Sequence, residues 1–103
     1  MSKIKLQSEY EDLDKYKNIV GDIFYYKKGT NIRHNPYGPA LVSIRYKIYI
    51  IENKFHRLDG PALIYEDGKE ECYINGKYLS KEEFDSHPDV LKYLGKEHLI
   101  CLK

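Results

Sequence analysis

The sequence has no tryptophan, one methionine and only two cysteines among its 103 residues. The cysteines, Cys72 and Cys101, form no C-x-x-C pair, and secreted domains of this size usually carry more. We therefore expect reduced, partly buried thiols rather than a disulfide. No apolar run approaches the length of a bilayer span, and MSKIKLQSEYEDL contains no apolar signal-like region. These absences predict a soluble, cytoplasmic protein with no membrane partner.

A strong charge bias is also missing, since 17 basic and 16 acidic residues leave a formal net charge of +1. This balance argues against an acidic tail and against a dedicated polyanion-binding protein. Eleven tyrosines are present instead. Tyrosine buries a large ring while its hydroxyl stays near water, so their number predicts a thin fold with much half-exposed sheet. The length suits one domain over residues 1–103.

The middle of the chain consists of β-rich runs separated by turn signals. DIFYYKKGTN, PALVSIRYKIYII and PALIYEDGKEECYINGKY are rich in β-branched and aromatic residues. Asp67-Gly68 and Asn75-Gly76 are dipeptides typical of two-residue hairpin loops, in which a type I′ turn needs positive φ at both central residues. We predict a series of antiparallel hairpins, a β-meander.

The ends of the chain have a different character. KIKLQ alternates and predicts a strand over residues 3–7, and Ser8-x-x-Glu11 is a capping-box pattern that predicts a helix over about residues 9–17. Ser80-x-x-Glu83 predicts a second helix, and Pro88 opens a third that ends before Gly95. HLICLK predicts a final strand. The fold class is thus mainly β (α+β), with an N-terminal cap (1–21), hairpin repeats (22–79) and C-terminal helices with a final strand (80–103).

A short motif occurs twice. At an offset of 22 residues, His34 aligns with His56, the run 38–41 (GPAL) aligns with 60–63, and Asn53 aligns with Asn75. This period fits one hairpin per unit, and such hairpins bury their faces only by joining into one sheet. The small and turn-forming residues of the pattern are predicted to be structural: Gly38, Pro39, Asp59, Gly60, Pro61, Asp67, Gly68, Asn75 and Gly76.

The stretch HRLDGPALIYEDGKEECYINGKYLSKEEF resembles a degenerate repeat, His-Arg-x-Asp-Gly-Pro-Ala followed by a β run, Asp-Gly or Asn-Gly, an aromatic strand and Asn-Gly-Lys. That repeat is common in uncharacterised proteins of giant DNA viruses and tailed phages and is distantly related to MORN-repeat variants. The match covers residues 56–84 well and 22–55 loosely. The resemblance implies a viral or phage protein in the host cytoplasm or the virion, and it implies no activity.

Three arrangements could carry chemistry. His34 and His56 recur at the repeat period and could share a metal, but a zinc site needs further ligands, so we favour turn histidines whose rings bond backbone carbonyls. Asp59 could act as a general base, although its carboxylate more simply accepts backbone N–H bonds within its own turn. Cys72 with His56 could suggest nucleophilic catalysis, but no orienting group or oxyanion motif accompanies them. We therefore predict that the protein is not an enzyme and has no catalytic residue and no cofactor.

Two binding functions remain. Lysines and arginines are interleaved with tyrosines, and a sheet of this kind can stack single-stranded bases; the balancing acids make a solvated face with cross-strand charge pairs the simpler interpretation. Extended repeat sheets also offer broad faces to proteins, and tyrosine is favoured at interface centres. We therefore expect a non-enzymatic module that binds a host or viral protein, with nucleic acid as the alternative. The candidate interface residues are Tyr25, Tyr46, Tyr49, Tyr65, Tyr73 and Tyr78.

Overall fold

The computed structural model describes residues 3–95. Within this range, ten strands and two short helices follow one another. Eight strands form one antiparallel sheet in the order β1-β2-β3-β4-β5-β8-β9-β10, and β6 and β7 form a separate pair. The strands are β1 (Lys3–Leu6), β2 (Leu13–Asn18), β3 (Ile23–Lys27), β4 (Leu41–Val42), β5 (Tyr46–Ile48), β6 (Ile50–Ile51), β7 (Lys54–Phe55), β8 (Leu63–Tyr65), β9 (Glu70–Ile74) and β10 (Lys77–Leu79).

Neighbours along the chain are neighbours in the sheet, apart from the excursion of β6 and β7. Only Tyr49 separates β5 from β6, so β6 continues the line of β5 and returns through β7. β8 then pairs with β5, with Tyr46 opposite Tyr65 and Ile48 opposite Leu63. The protein is therefore mainly an antiparallel β-sheet whose hairpins are joined in sequence order, with two short helices near the C-terminal end.

The predicted helix over residues 9–17 is wrong. Residues 9–12 form a turn, and Leu13–Asn18 is strand β2, which pairs with β1 on one side and β3 on the other. The Ser8 hydroxyl accepts a hydrogen bond from the backbone N–H of Tyr10 rather than opening a helix. Pairing on both edges and the burial of Leu13 outweigh the local capping pattern, because helical signals in short segments are weak against tertiary contacts. The strand predicted over residues 3–7 is present as β1.

The two C-terminal helices lie where the sequence predicts them. Ser80 caps α1 (Lys81–Asp85) with a complete capping box, in which its hydroxyl accepts from the Glu83 N–H and the Glu83 carboxylate accepts from the Ser80 N–H. Pro88 opens α2 (Pro88–Tyr93). Gly95 adopts a φ of 73° just past the helix, a conformation that glycine tolerates. The predicted strand HLICLK and Cys101 lie outside the described residues.

The sheet carries a core cluster on each of its faces. On one face, aliphatic side chains from β4, β5, β6 and β8 are buried beneath half-exposed aromatic rings. On the other face, Cys72, Ile74 and Leu79 of β9 and β10 pack against Phe84 of α1 and Val90 of α2. Because the helices cover only this end, much of the sheet is a single layer, and the smallest dimension of the molecule is 19 Å.

Side chains alternate between the faces along each strand. The register places Tyr16 opposite Phe24, Tyr46 opposite Tyr65 and Tyr73 opposite Tyr78, all on one side. We call this side the aromatic face. The alternating lysines of β2, β3 and β5 point to the opposite side, which we call the helix face; these are Lys15, Lys17, Lys27 and Lys47. Within residues 3–95, neither helix has the length and apolar character to cross a membrane.

Candidate functional site

Each of the two repeated histidines accepts a hydrogen bond from a backbone N–H of a turn, a contact that the sequence did not predict. The His34 Nδ1 atom accepts a hydrogen bond from the Glu52 N–H at 3.0 Å, and the His56 Nδ1 atom accepts one from the Asn75 N–H at 2.9 Å. The rings bond backbone amides rather than carbonyls. An accepting Nδ1 atom carries no proton, so the neutral ring has its hydrogen on Nε2. Burial lowers the pKa of both imidazoles below the usual value, and Lys27 adds to this for His34.

The turns that these histidines bond have the same backbone form. Asn75 and Gly76 have φ values of 52° and 85°, as a type I′ turn requires, and Glu52 and Asn53 have φ values of 48° and 68°. The equivalent positions are therefore 23 residues apart, so Glu52 rather than Asn53 corresponds to Asn75. Non-glycine residues seldom adopt these angles. Glu52 nevertheless adopts a positive φ. Its carboxylate forms an ion pair with Lys27, with Oε2 2.8 Å from Nζ.

The Asp67-Gly68 turn differs from its predicted type. Only Gly68 has a positive φ, 94°, and its N–H donates to the Tyr65 carbonyl at 3.0 Å. The connection is a three-residue loop that ends in a left-handed glycine, a common alternative to the two-residue turn. The corresponding loop of the preceding hairpin, around Ile44, contains no residue with positive φ. The outer turns of the two hairpins therefore occupy corresponding positions but differ in turn type.

In each Gly-Pro-Ala turn, a side chain that precedes the turn donates a hydrogen bond to the proline carbonyl. Arg57 Nη1 donates to the Pro61 carbonyl at 3.0 Å, and the amide nitrogen Nδ2 of Asn35 donates to the Pro39 carbonyl at the same distance. The shorter Asn35 thus supplies in the first turn the bond that Arg57 supplies in the second. This explains how HNPYGPA keeps the turn without the arginine of HRLDGPA.

Arg57 makes two further contacts on this side of the turn. Its guanidinium lies 4.0 Å from the centroid of the Tyr49 ring, and its Nε atom donates to Asp59 Oδ1 at 2.8 Å. The Asp59 carboxylate therefore accepts from a side chain rather than from backbone N–H groups. A Cβ atom at Gly60 would lie 2.9 Å from the Arg57 guanidinium carbon, whereas one at Gly38 would meet nothing within 4 Å. The Arg57 guanidinium, rather than a left-handed φ, limits the space for a side chain at position 60.

The thiol of Cys72 is poorly placed for chemistry. It is buried between the sheet and α1, and burial raises its pKa above the usual value. A thiolate is the reactive form, so the raised pKa lowers nucleophilicity near neutral pH. Among residues 3–95, no three histidine, cysteine, aspartate or glutamate side chains are grouped as metal ligands.

The six predicted interface tyrosines are divided between the two faces. Tyr46, Tyr65, Tyr73 and Tyr78 belong to the aromatic face, where the edges of neighbouring rings meet: Tyr73 lies 5.1 Å from Phe55 and 5.7 Å from Tyr78 between centroids. The other two lie on the helix face. Tyr49 is covered by Arg57, and Tyr25 is only 6% exposed, with its hydroxyl donating to Glu9 at 3.0 Å. Tyr25 is therefore a core residue rather than part of an exposed surface.

Sequence reasoning missed a cleft on the helix face. Its volume is about 370 Å³, and it lies between the turns at residues 35–38 and 56–59, with the end of α2 beside them. Tyr37 and Tyr93, which were not among the predicted interface residues, are 56% and 59% exposed at this cleft. No local sequence signal identified these residues, because the cleft forms only where two turns and the end of α2 come together. Comparison with protein-family models, with curated proteins and with solved structures found no match.

Proposed function

We propose that this protein is a non-enzymatic protein-binding or structural module that engages a protein partner through its aromatic face. The observation that carries the proposal is the set of half-exposed rings on one side of a single-layer sheet. These rings are Tyr46, Phe55, Tyr65, Tyr73 and Tyr78. Aromatic side chains, tyrosine above all, are the residues that most often anchor protein interfaces.

The rings of the aromatic face contact one another within the protein. Tyr73 contacts both Phe55 and Tyr78 edge to face, and its hydroxyl donates to Glu71 at 3.1 Å. Rings held in this way lose little conformational freedom when a partner covers them, so more of the contact energy contributes to affinity. Tyr78 is 59% exposed at the edge of the group and offers the largest accessible ring.

We infer that residues 22–79 are tandem β-hairpin units. Contacts that recur along the chain support this interpretation. Ala40 donates its N–H to Ile48 and Ala62 donates its N–H to Glu71, while the carbonyls of these alanines accept from Tyr25 and Tyr49. The alanines are 1% and 0% exposed, so both methyl groups belong to the packed interior. Repeat sheets of this kind present a continuous binding face, which suits the proposed function.

The distribution of positive charge favours a protein over a nucleic acid. The lysines that alternate with the aromatic residues along β2, β3 and β5 lie on the opposite side of the sheet from the rings. A single-stranded nucleic acid needs cations and stacking rings on the same surface. The side that bears most of the rings therefore lacks most of the cations.

Nucleic-acid binding stays as the second candidate because of one cluster at the N-terminal end of the aromatic face. Lys3 Nζ lies 4.8 Å from the Tyr26 ring centroid and 5.2 Å from that of Phe24, and Arg33 lies 5.9 Å from Phe24. Cations beside rings are the arrangement that single-stranded binders use. In this cluster the lysine itself covers the rings, so a base would have to displace it.

The resemblance to viral and phage repeats suggests where the partner would be found. A host protein in the cytoplasm of an infected cell, or another component of a virion, is the partner class that we propose. The sequence resemblance alone supports this source.

Site-specific photo-crosslinking tests the proposed surface. A photoreactive phenylalanine is placed at Tyr78 on the aromatic face or at Tyr93 on α2, two tyrosines of equal exposure. In lysate of the producing cells, we expect a discrete protein adduct from position 78, suppressed by excess unlabelled protein but not by the Tyr46→Ala/Tyr78→Ala variant. The same adduct from both positions, or suppression by the variant, would contradict the proposal, because positions 78 and 93 lie on opposite faces of the sheet. A salt-sensitive adduct with single-stranded nucleic acid would support the second candidate instead.

A further inference from the structure

The cleft on the helix face has the lining of a peptide groove. We call it the tyrosine cleft and define it by Tyr37, Tyr49, Ile51, His56, Arg57 and Tyr93. Two rings, Tyr37 and Tyr93, are largely exposed at its sides, and Tyr49 and Ile51 form part of its apolar lining. Aromatic-lined grooves of this type are used to recognise extended, proline-rich segments.

Three residues that line the tyrosine cleft are held by contacts within the protein. The Tyr37 ring stacks on Tyr10 with centroids 4.6 Å apart, and its hydroxyl donates to Asp12 Oδ2 at 2.9 Å. Tyr49 is fixed beneath the Arg57 guanidinium. The His56 ring is fixed by its bond from the Asn75 N–H. A preformed groove of this kind loses little entropy on binding.

The tyrosine cleft contains an imidazole donor beside the ion pair of Arg57 with Asp59. His56 uses Nδ1 as an acceptor within the protein, which leaves the Nε2–H to donate. Arg57 is neutralised by Asp59, so the cleft offers no unpaired arginine charge. A polyproline II segment exposes carbonyl acceptors and, at each proline, lacks an N–H donor. Such a segment fits an apolar groove with donor groups without burying unsatisfied amides.

A second cleft adjoins the first and shares Tyr37 with it. We call it the acidic cleft; its volume is about 700 Å³, and it is lined by Glu9, Tyr10, Glu11, Asp12, Lys28 and Tyr37. It contains three carboxylates and one lysine. Glu9 is paired with Lys15 at 3.2 Å, whereas Glu11 is exposed and makes no hydrogen bond or ion pair within the described part of the chain. The charge of this cleft favours a cationic side chain.

We propose that the two clefts together bind a proline-rich protein segment in the polyproline II conformation. Its prolines lie against Tyr37 and Tyr93, and an adjoining arginine or lysine lies against Glu11 and Asp12. This site is separate from the aromatic face, so the protein could hold two partners at once. The inference does not depend on the aromatic face being an interface.

Fluorescence anisotropy tests the inference with defined peptides. The probe is a fluorescein-labelled peptide of four Ala-Pro-Pro triplets ending in Arg-Arg, compared with one ending in Glu-Glu and with one in which alanine replaces every proline. We expect saturable binding of the first peptide and at least fivefold weaker binding of the other two. Tyr93→Ala and Glu11→Gln should each weaken the first peptide at least about fivefold, as loss of an anchor does.

The exposed Tyr78 provides the matched control for this experiment. Tyr78→Ala should leave peptide affinity unchanged, because Tyr78 lies on the aromatic face. Absence of saturable binding, equal affinity for the alanine peptide, or an unchanged affinity in folded Tyr93→Ala protein would each overturn the inference. So would sedimentation showing a dimer that Tyr93→Ala dissociates, since a second copy would then occupy the cleft. Failure of this site leaves the crosslinking result at Tyr78 unaffected.

Discussion

The Nδ1 atom of His56 lies 2.9 Å from the backbone nitrogen of Asn75, nineteen residues further along the chain. His34 makes the equivalent bond to Glu52. Each histidine thus satisfies the N–H of the first residue in a later turn, which lies between β6 and β7 for His34 and between β9 and β10 for His56. A repeated histidine that suggests catalysis or metal binding in the sequence is, in the fold, a link between successive hairpins.

These bonds make stability dependent on pH. Protonation of Nδ1 would destroy its acceptor, and burial already lowers the pKa of both rings. Near His34, Lys27 lowers this pKa further while Glu52 and Asp12 oppose the shift, and near His56 Asp89 opposes it. Because the unfolded chain binds these protons more tightly, the free energy of unfolding should be greatest above about pH 6.5 and fall as the pH drops.

Urea unfolding at pH values from about 7 to 5 measures this dependence, and the His34→Gln/His56→Gln variant is the comparison. We expect the variant to be less stable at pH 7 and to lose less stability on acidification than the unmodified protein. An identical pH slope for both proteins would show that these histidines are not the titrating groups.

The contact between Arg57 and Gly60 predicts unequal effects at two glycines that occupy the same place in the motif. Gly60→Ala should lower the free energy of unfolding by about 1 kcal/mol, because the new methyl group displaces the guanidinium from Tyr49. Gly38→Ala should be neutral or slightly stabilising, since its Cβ atom meets open space. A double-mutant cycle with Arg57→Asn should reduce the Gly60→Ala penalty, and an unchanged penalty would exclude the arginine as its cause.

The strained Glu52 offers a stabilising substitution. Asparagine tolerates the left-handed region better than glutamate does, so Glu52→Asn should raise the free energy of unfolding by about 0.5 kcal/mol. The free energy of unfolding is measured in about 1 M salt, where the exposed ion pair between Glu52 and Lys27 is screened. Glu66→Asn is the control, because Glu66 is an exposed turn residue without a positive φ. A destabilised Glu52→Asn protein at high salt would contradict the assignment of strain.

Burial of Cys72 predicts slow alkylation. In Cys101→Ser protein at pH 8, Cys72 should react with iodoacetamide far more slowly than a small free thiol, and at the ordinary rate in denaturant. Its raised pKa and its packing against Phe84 both act in this direction. Rapid alkylation of Cys72 in the folded protein would instead support a nucleophilic role for this thiol. Phe84→Ala, which opens the packing, should accelerate the reaction.

Local signals were sufficient where the structure depends on local geometry. Asn75-Gly76 was recognised as a type I′ turn because both residues accept positive φ, and Ser80 with Glu83 was recognised as a capping box because both bonds lie within one helical turn. The same kind of signal failed at Ser8 and Glu11. There the outcome depends on β1 and β3, which pair with β2 from both sides and bury Leu13.

The candidate site was harder to predict because it depends on register and on contacts between hairpins. The alternation that places Tyr25 in the core and Tyr46 on the aromatic face is visible only once the strands are paired. Arg57 reaches Tyr49, eight residues away, only because β6 and β7 return the chain beside it. The role of Asn35 in replacing Arg57 needs the position of the Pro39 carbonyl, which no local pattern supplies.

The bonds from His34 and His56 reach the turns that follow β6 and β9, and β10 leads into the Ser80 cap. Removal of residues 35–56 would join His34 directly to Arg57, and the turn at Asn75 would still find an imidazole in front of it. Under the repeat organisation that we propose, the chain could gain or lose a whole hairpin while each histidine kept a turn amide to bond.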